Sequence, residues 1–137
     1  MEDIADLIEN FSVLDDWEDK YEYLIDLGEK LPPLDEKYKT DEWKVSGCQS
    51  QVWLVPERQG EILTFKGDSD AVMVKGIIAV ILAIYRNKSV QEIKKIEVDK
   101  IFAKLGLQEH LSLSRRNGMM SMVDKIKYYA DKMEKQR

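Results

Sequence analysis

The sequence predicts an α+β fold in which a small antiparallel sheet of about three strands packs against helices. Three observations support this prediction. Apolar residues recur at helical spacing before residue 30, β-branched and aromatic residues are dense between residues 50 and 66, and helical patterns return from residue 71 onwards. Helices, then strands, then helices is an order typical of α+β proteins. No repeat or Pro/Gly-rich linker interrupts it, so we expect one domain, residues 1–137.

Two amphipathic helices are predicted at the start of the chain. The first has apolar residues at i, i+3, i+4 and i+7, which are Ile4, Leu7, Ile8 and Phe11. The second repeats this spacing with Leu14, Trp17, Tyr21, Leu24 and Gly28. Asp15 and Asp16 are expected to cap the second helix. Gly28, followed by Leu31-Pro32-Pro33-Leu34, is expected to end it and to begin an extended connection.

A β-hairpin is predicted in the middle of the chain. Ser50 to Val55 and Glu61 to Lys66 are the expected strands, and residues 56–60 are the expected turn. A third strand is expected around Trp43 to Ser46. This arrangement would place Cys48 in a tight connection at the sheet edge.

The second half of the chain is predicted to be helical. Ala71 to Tyr85 is the most hydrophobic segment, and its about 15 residues fall short of the ~20 that cross a bilayer, so we expect a buried core helix. Ser89 begins a capping-box pattern for a short helix, and Val98 to Leu105 predicts another that Gly106 ends. A closing helix is expected to begin near Ser112 or Ser114 and to bury one apolar stripe, which consists of Met119, Met122, Ile126, Tyr129 and Met133.

Composition narrows the classes of function. The formal net charge of −5 argues against general nucleic-acid binding, because neutralising phosphates requires a clustered basic surface. A chain that is 44% apolar with a single cysteine is typical of a globular protein in a reducing compartment. No charged leader followed by an apolar stretch precedes Ile4, so we expect a cytoplasmic protein that does not associate with membranes.

Cys48 lies in a loop of small polar residues between two apolar stretches. A single thiol can neither close an intramolecular disulfide nor supply the ligands of a zinc or iron–sulfur site, so no metal site is predicted. Its chemistry would be that of a nucleophilic or redox-active thiolate. Gly47 permits close backbone approach, Ser46 and Ser50 limit steric blockade, and Gln49 completes the loop. The alternative is an interaction module in which Cys48 is only a small buried hydrophobic residue.

Other chemistries have less support in the sequence. A cysteine hydrolase would need His110, the only histidine, as the base for Cys48, but His110 lies at a predicted helix end where it would cap carbonyls. The segment 67–70 precedes a helix and could suggest phosphate binding. Its two aspartates oppose an anion and are better explained as helix caps. Transfer of sulfur between proteins, in contrast, requires only one accessible thiolate.

Three separated motifs, in this order, resemble the SufE family of sulfur acceptors. The first surrounds the cysteine and is Val45-Ser46-Gly47-Cys48-Gln49-Ser50-Gln51-Val52-Trp53. The second is Gly67-Asp68-Ser69-Asp70-Ala71 with Val74-Lys75-Gly76, and the third is His110-Leu111-Ser112-Leu113-Ser114-Arg115-Arg116-Asn117-Gly118. The N-terminal segment with Trp17-Glu18, Tyr21 to Gly28 and Leu31-Pro32 is similar too. Leu113 stands where many members have proline, and Met119 where leucine usually follows the glycine.

The resemblance implies the α+β fold of SufE and IscU-type proteins, and it implies a function. A cysteine desulfurase of the SufS or CsdA type, which carries pyridoxal phosphate, would transfer sulfur to Cys48 as a persulfide. The sulfur would then pass to a SufBCD-type scaffold for iron–sulfur cluster assembly. We therefore expect no cofactor on this chain and no independent enzymatic turnover, only stimulation of the desulfurase. Asp70 is a candidate for holding the resting loop, and Arg115 for contacting the partner or steadying the sulfur site. A homodimer is left open.

Overall fold

Residues 3–135, which the computed structural model describes, form six α-helices and a three-stranded antiparallel sheet of order β1-β2-β3. The first two and last two residues of the predicted domain lie outside this range. The elements are α1 (Ile4–Ser12), α2 (Trp17–Glu29), a short 3-10 helix (Glu36–Tyr38), β1 (Val52–Gln59), β2 (Ile62–Ser69), α3 (Val72–Ile84), β3 (Lys88–Ser89), α4 (Val90–Lys95), α5 (Val98–Leu105) and α6 (Leu113–Lys135). The predicted α+β class is confirmed.

Most of the predicted helix signals act as expected. The Asp16 carboxylate accepts the backbone N–H of Asp19 at 2.9 Å and caps α2. Ser89 begins α4 with a complete capping box, and Gly106 ends α5 in the left-handed conformation at a φ of 70°. The Ser112 hydroxyl accepts a backbone N–H from the first turn of α6. Local hydrogen-bonding chemistry thus sets these helix ends.

The core is built around α3. Most residues of α3 are buried, in agreement with the prediction of a core helix. The whole predicted stripe of α6 is also buried, and it comprises Met119, Met122, Ile126, Tyr129 and Met133. The start of α3 and the start of α6 both reach the cysteine loop, and this convergence positions the site described below.

Gly28 does not end α2 as expected. It is buried inside the helix, and a Cβ at this position would lie 2.7 Å from the backbone N of Gly76 on α3. A Cβ on Gly76 would in turn clash with the Leu24 carbonyl oxygen. The two glycines therefore allow the backbones of α2 and α3 to approach each other closely, and Lys30 caps the end of α2.

The hairpin is present, but its turn lies later than predicted. Pro56 pairs with Phe65 inside the sheet, and Gln59 pairs with Ile62, so the loop is only Gly60-Glu61. Proline is tolerated because β1 is an edge strand. The Leu54 N–H points away from β2 and donates to the Trp43 carbonyl oxygen at 3.0 Å. Because alternate residues of a strand face the same edge, the Pro56 nitrogen also points away from β2, where no sheet hydrogen bond is required of it.

The predicted third strand near Trp43 is wrong in part. Residues 43–45 make an isolated bridge, Lys44 to Trp53, supported by a 2.8 Å hydrogen bond from the Val45 N–H to the Val52 carbonyl oxygen. The third strand of the sheet is β3, a two-residue segment that pairs with the start of β2. The bridge nevertheless holds the chain against β1 immediately before the cysteine loop.

Candidate functional site

The cysteine loop, residues 46–51, connects the Lys44–Trp53 bridge to β1. Both ends of this loop are therefore fixed on the sheet. Ser46, Gly47 and Gln49 are exposed, whereas Ser50 and Cys48 are partly buried. The loop is short and anchored, and it presents Cys48 at the surface where the sheet meets α6.

Gly47 allows the loop to lie directly on α6. Its φ is +88°, a left-handed conformation that favours glycine. A Cβ at this position would also lie 2.6 Å from the Ser121 Oγ. The close approach predicted at Gly47 is made, in the structure, to a helix of the same chain.

Cys48 points towards Gly118 on α6. Its Sγ lies 3.7 Å from the Gly118 carbonyl oxygen, to which the thiol donates a weak hydrogen bond. A Cβ on Gly118 would lie 3.5 Å from this sulfur, which is an ordinary van der Waals contact, so the sulfur packs directly against this face of the helix. Partial burial raises the pKa of the Cys48 thiol, because removal of water disfavours the thiolate. The resting group is thus a thiol sheltered against α6.

A cavity of about 300 Å³ adjoins the Cys48 side chain. One part of its wall is apolar and consists of Val74 and Ile77 from α3 and Met122 from α6. Another part is polar and consists of Gln49, Ser50, Ser112, Ser114 and Arg115. Its volume is about ten times the ~30 Å³ that a water molecule occupies in the liquid, which is ample for one additional sulfur atom.

Asp70 binds the end of the cysteine loop. Its Oδ1 accepts the Gln51 N–H at 3.1 Å, while its own N–H donates to the Gln51 carbonyl oxygen at 3.3 Å. The alternative that Asp70 caps α3 is wrong, because Ala71 occupies the N-cap position and no side chain caps it. These two hydrogen bonds are the contacts expected of a residue that holds the resting loop.

Asp68 does not cap α3 either. It is buried, its Oδ1 accepts the Ser69 N–H at 2.8 Å, and the Ser69 hydroxyl accepts the Ala71 N–H at 3.2 Å. Lys39 and Lys75 approach its two carboxylate oxygens at 3.3 and 3.6 Å. These contacts shape the turn that aims Asp70 at the cysteine loop, and the two lysines compensate the buried charge.

Arg115 lies on the wall of the cavity, in the first turn of α6. It is exposed, and it makes no ion pair with any of the residues 3–135. The alternative explanation, a salt bridge near the start of this helix, is therefore not what the structure shows. The guanidinium is available to a partner or to an anion at the sulfur site.

His110 is remote from the chemistry that a hydrolase would need. Its ring stacks on the Trp17 indole with centroids 4.5 Å apart, and it is not among the residues that line the Cys48 cavity. His110 lies in the connection between α5 and α6. Among the described residues, its side chain donates no hydrogen bond to a helix carbonyl, which was the expected cap. The structure does not bring the two members of the proposed dyad together.

The contacts of the cysteine loop with Gly118 and Ser121 were not predicted from the sequence, although Gly118 ends the third motif. A glycine inside a long predicted helix was the available signal, because it costs helix stability and indicates close approach of another group.

No group of three or more His, Cys, Asp or Glu side chains within residues 3–135 could hold a metal ion. None of the helices described is long and apolar enough to cross a membrane.

Comparisons with known proteins find similar sequences over nearly the whole chain. The model of the SufE family, described as an Fe-S metabolism associated domain, matches residues 5–130. An uncharacterized SufE-like protein of Rhizobium meliloti is 47% identical over 135 residues, which is 96% of each chain. One of Rhizobium etli is 47% identical over 131 residues, covering 93% of this chain and 88% of that protein.

The fold is also found among solved structures. The solution structure of a hypothetical protein from Thermus thermophilus superimposes with a TM-score of 0.76 at 17% identity. The match covers 94% of this chain and 93% of that one. At this level of identity the likeness concerns the fold alone, and it supports the α+β architecture over nearly the whole chain.

Proposed function

The chain belongs to the SufE family of Fe-S metabolism proteins, and from this membership we propose that it is a sulfur carrier that accepts sulfur on Cys48 from a cysteine desulfurase. The observation that carries the proposal is the position of the only cysteine, on an anchored surface loop beside a cavity with room for another sulfur. The family supplies the desulfurase as the partner.

The proposed transfer is a thiol exchange. The Cys48 thiolate attacks the terminal sulfur of a persulfide on the desulfurase, so a new S–S bond forms on Cys48. The bond between the two sulfurs of the desulfurase persulfide breaks, and its inner sulfur leaves as a thiolate. Cys48 then carries a persulfide, the desulfurase cysteine is regenerated, and no external oxidant or reductant is consumed.

The resting site favours the protonated thiol, so docking must change it. Burial and the bond to Gly118 both stabilise the S–H form, whereas attack requires the thiolate. We propose that the partner displaces the loop, which exposes the sulfur and restores an ordinary pKa. Arg115, which has no ion pair within residues 3–135, then steadies the sulfur anion or contacts the partner. After transfer, the cavity shelters the terminal sulfur.

The carrier would act without a cofactor and without turnover of its own. Pyridoxal phosphate would reside on the desulfurase, of the SufS or the CsdA type, and the desulfurase would be stimulated because its persulfide is removed. The sulfur would continue to a SufBCD-type scaffold. A Cys48/His110 hydrolase has no supporting contact, because His110 stacks on Trp17 instead.

Intact-mass measurement tests the proposal. Incubation with a SufS-type desulfurase, pyridoxal phosphate and cysteine should add roughly 32 Da per sulfur to the chain, and a reductant should remove it. Cys48→Ser should gain nothing, whereas His110→Ala should be loaded like wild type. A wild-type chain whose mass stays unchanged with both SufS-type and CsdA-type enzymes would refute the carrier function. Loss of the added mass on incubation with a SufBCD-type scaffold tests the onward transfer.

A further inference from the structure

The central strand β2 has no partner along most of one edge. β1 pairs with β2 over its whole length, whereas β3 pairs only with Ile62 and Leu63 at its start. β3 does not extend further along β2, because Asn87 adopts a φ of 53°, a left-handed conformation that does not continue a strand. Within residues 3–135, the edge of β2 from residue 64 onwards is therefore unpaired on the side away from β1.

Phe65 and Gly67 direct their backbone groups to this unpaired edge. In an antiparallel pair, two opposite residues either exchange hydrogen bonds or both point outward. Leu54 points outward, because its N–H donates to the Trp43 carbonyl oxygen, and Gly67 lies opposite Leu54. Phe65, two positions earlier, has the same orientation. Among the described residues, no backbone group bonds the N–H or C=O groups of Phe65 and Gly67 from that side.

A cleft of about 370 Å³ lies along this edge, and both Phe65 and Gly67 line it. Apolar side chains from the end of α3 and from the connection after α2 form much of the remaining wall. These are Leu31, Pro32, Leu82 and Tyr85. A covering that only protected the edge from aggregation would fill this space. The cleft instead exceeds the 300 Å³ cavity beside Cys48 and has the size of a ligand site.

The charged residues that line the cleft are both cationic. They are Lys66 and Arg86, and no Asp or Glu is among the described residues of its wall. Lys66 pairs with Glu57 at 3.0 Å, but the two side chains are 55% and 40% exposed, and exposed ion pairs contribute little to stability. Lys66 can therefore exchange this partner for another carboxylate at small cost. The cleft thus complements an anion, and its edge complements an extended backbone.

We propose that this cleft binds an extended acidic peptide segment of a partner protein, which adds to β2 as a further strand. The peptide backbone pairs with the N–H and C=O groups of Phe65 and Gly67. Successive side chains of a strand point to opposite faces, so apolar side chains of the peptide contact the walls of the cleft. A carboxylate of the peptide lies beside Lys66 or Arg86. Main-chain pairing supplies affinity, and the walls and the charges supply selectivity.

The proposed peptide site is separate from the sulfur site. The cleft and the Cys48 cavity share no lining residue. Val74 of α3 lines the cavity and Leu82 of α3 lines the cleft, and this separation corresponds to about 12 Å along the helix. A bound peptide therefore leaves the Cys48 cavity unoccupied. The inference does not depend on sulfur transfer and stands or falls by its own test.

Amide hydrogen exchange, resolved by NMR, tests the site. In the free chain, the Phe65 amide should exchange about tenfold faster than those of Thr64 and Lys66, which are paired with β1. The probe is the peptide acetyl-Val-Glu-Val-Glu-Val-amide. At saturation it should slow exchange of the Phe65 amide about fivefold and shift the amide signals of Phe65 and Gly67. Equal exchange of Phe65 and its neighbours in the free chain, or no protection by the peptide, would overturn the proposal.

Two control peptides separate strand addition from charge attraction. The same peptide with its three central amides N-methylated keeps both carboxylates but cannot pair as a strand, so it should give no protection. Acetyl-Val-Lys-Val-Lys-Val-amide can pair but has the wrong charge, and it should bind about tenfold more weakly. Equal binding of the N-methylated peptide would show an anion site without strand addition, and equal binding of the lysine peptide would exclude the acidic occupant. Either result contradicts the proposal.

Lys66→Gln tests the charge on the protein side. This variant should raise the Kd of the acidic peptide about threefold without changing the melting temperature. Lys104→Gln is the matched control, because Lys104 is an exposed lysine on α5 that does not line the cleft, and its Kd should equal that of wild type. An unchanged Kd for Lys66→Gln would refute the assigned charge contact. Protection of Phe65 that increases with protein concentration in the absence of peptide would identify a second copy as the occupant and overturn the proposal.

Discussion

At the scale of single residues, Cys48 combines shelter with access. Its sulfur lies against Gly118 on α6, yet the neighbouring loop residues Ser46, Gly47 and Gln49 are exposed. Burial raises the thiol pKa, so the resting group is a poor nucleophile at neutral pH. If the chain is the proposed sulfur carrier, we expect this thiol to react slowly with small oxidants and to become more reactive when a docking partner moves the loop.

The raised pKa predicts the pH dependence of thiol alkylation. The rate with iodoacetamide should rise with pH and reach its midpoint at a higher pH in the folded protein than in the denatured chain, because burial disfavours the thiolate. In denaturing urea the midpoint should return to the ordinary value of an exposed thiol. The measurement is a series of alkylation rates from pH 6 to pH 10, followed by mass spectrometry. A folded-state midpoint at or below the denatured one would contradict the burial argument.

The sequence predicted part of the site. Residue types alone pointed to the cysteine loop, whereas Asp70 and Arg115 were expected from the resemblance to the SufE family, which rests on motifs of adjacent residues. The contacts of Gly118 and Ser121 with the loop were missed because they depend on which face of α6 meets the loop. Cys48 and Gly118 are 70 residues apart in the sequence, so no local pattern connects them. The hydrolase alternative failed for the same reason, since pairing Cys48 with His110 required a contact that the fold does not make.

At the scale of elements, the β2–α3 connection holds the cysteine loop through Asp70. Asp70→Ala removes the acceptor of the Gln51 N–H and leaves the backbone bond in place. A typical intramolecular hydrogen bond stabilises by roughly 0.5–1.5 kcal/mol, and solvent exposure keeps this bond to a carboxylate within that range, so the loop should open about two- to tenfold more often. Alkylation of Cys48 at pH 7.5 should accelerate by that factor.

Asp16→Ala provides the control for the Asp70 variant. Asp16 also accepts a backbone N–H, at the start of α2, and does not contact the cysteine loop. Its loss should lower the free energy of unfolding by about 1 kcal/mol without changing the alkylation rate. If Asp70→Ala reacts at the wild-type rate, the hydrogen bond to Gln51 does not restrain the loop.

Element boundaries show where local patterns were insufficient. Caps that act within one turn, such as Asp16 and Ser89, were predicted correctly. Gly28 was assigned to a helix end because glycine often ends helices, whereas the close approach of α3 explains it. Pro56 was assigned to the turn because proline is rare inside sheets, but β1 lies at an edge. In each case a neighbour that is distant in sequence decided the outcome.

At the scale of the whole molecule, the α+β class followed from the order of hydrophobic patterns, which long elements express redundantly. The third strand could not be predicted, because β3 has only two residues and its pairing with β2 depends on where the end of α3 returns the chain. The burial of α3 was predicted because its segment is the most hydrophobic of the chain, and the buried stripe of α6 because its helical periodicity extends over several turns.

The buried hydroxyl of Tyr85 makes the free energy of unfolding fall as the pH rises through the alkaline range. The side chain is 1% exposed, and its hydroxyl has no hydrogen-bond partner among the described residues. Burial, with smaller contributions from Asp124 and Asp99, raises the Tyr85 pKa to about 12. Because the folded state keeps the proton longer than the unfolded chain, stability is present below pH ~10 and is lost as the pH rises towards the folded pKa.

Tyr85→Phe should weaken this dependence, while the buried Tyr129, whose pKa burial also raises, retains a part of it. At pH 7 the variant should unfold with a free energy equal to wild type or up to about 1 kcal/mol higher, because an unsatisfied buried hydroxyl is removed. At pH 11 its advantage should grow by about 1 kcal/mol, since phenylalanine has no proton to lose. Urea unfolding at pH 7, 9 and 11 measures both effects. Tyr128→Phe, at a position that is 53% exposed, should not shift the pH dependence. If wild type and Tyr85→Phe lose stability in parallel up to pH 11, the Tyr85 hydroxyl is not the group that limits alkaline stability.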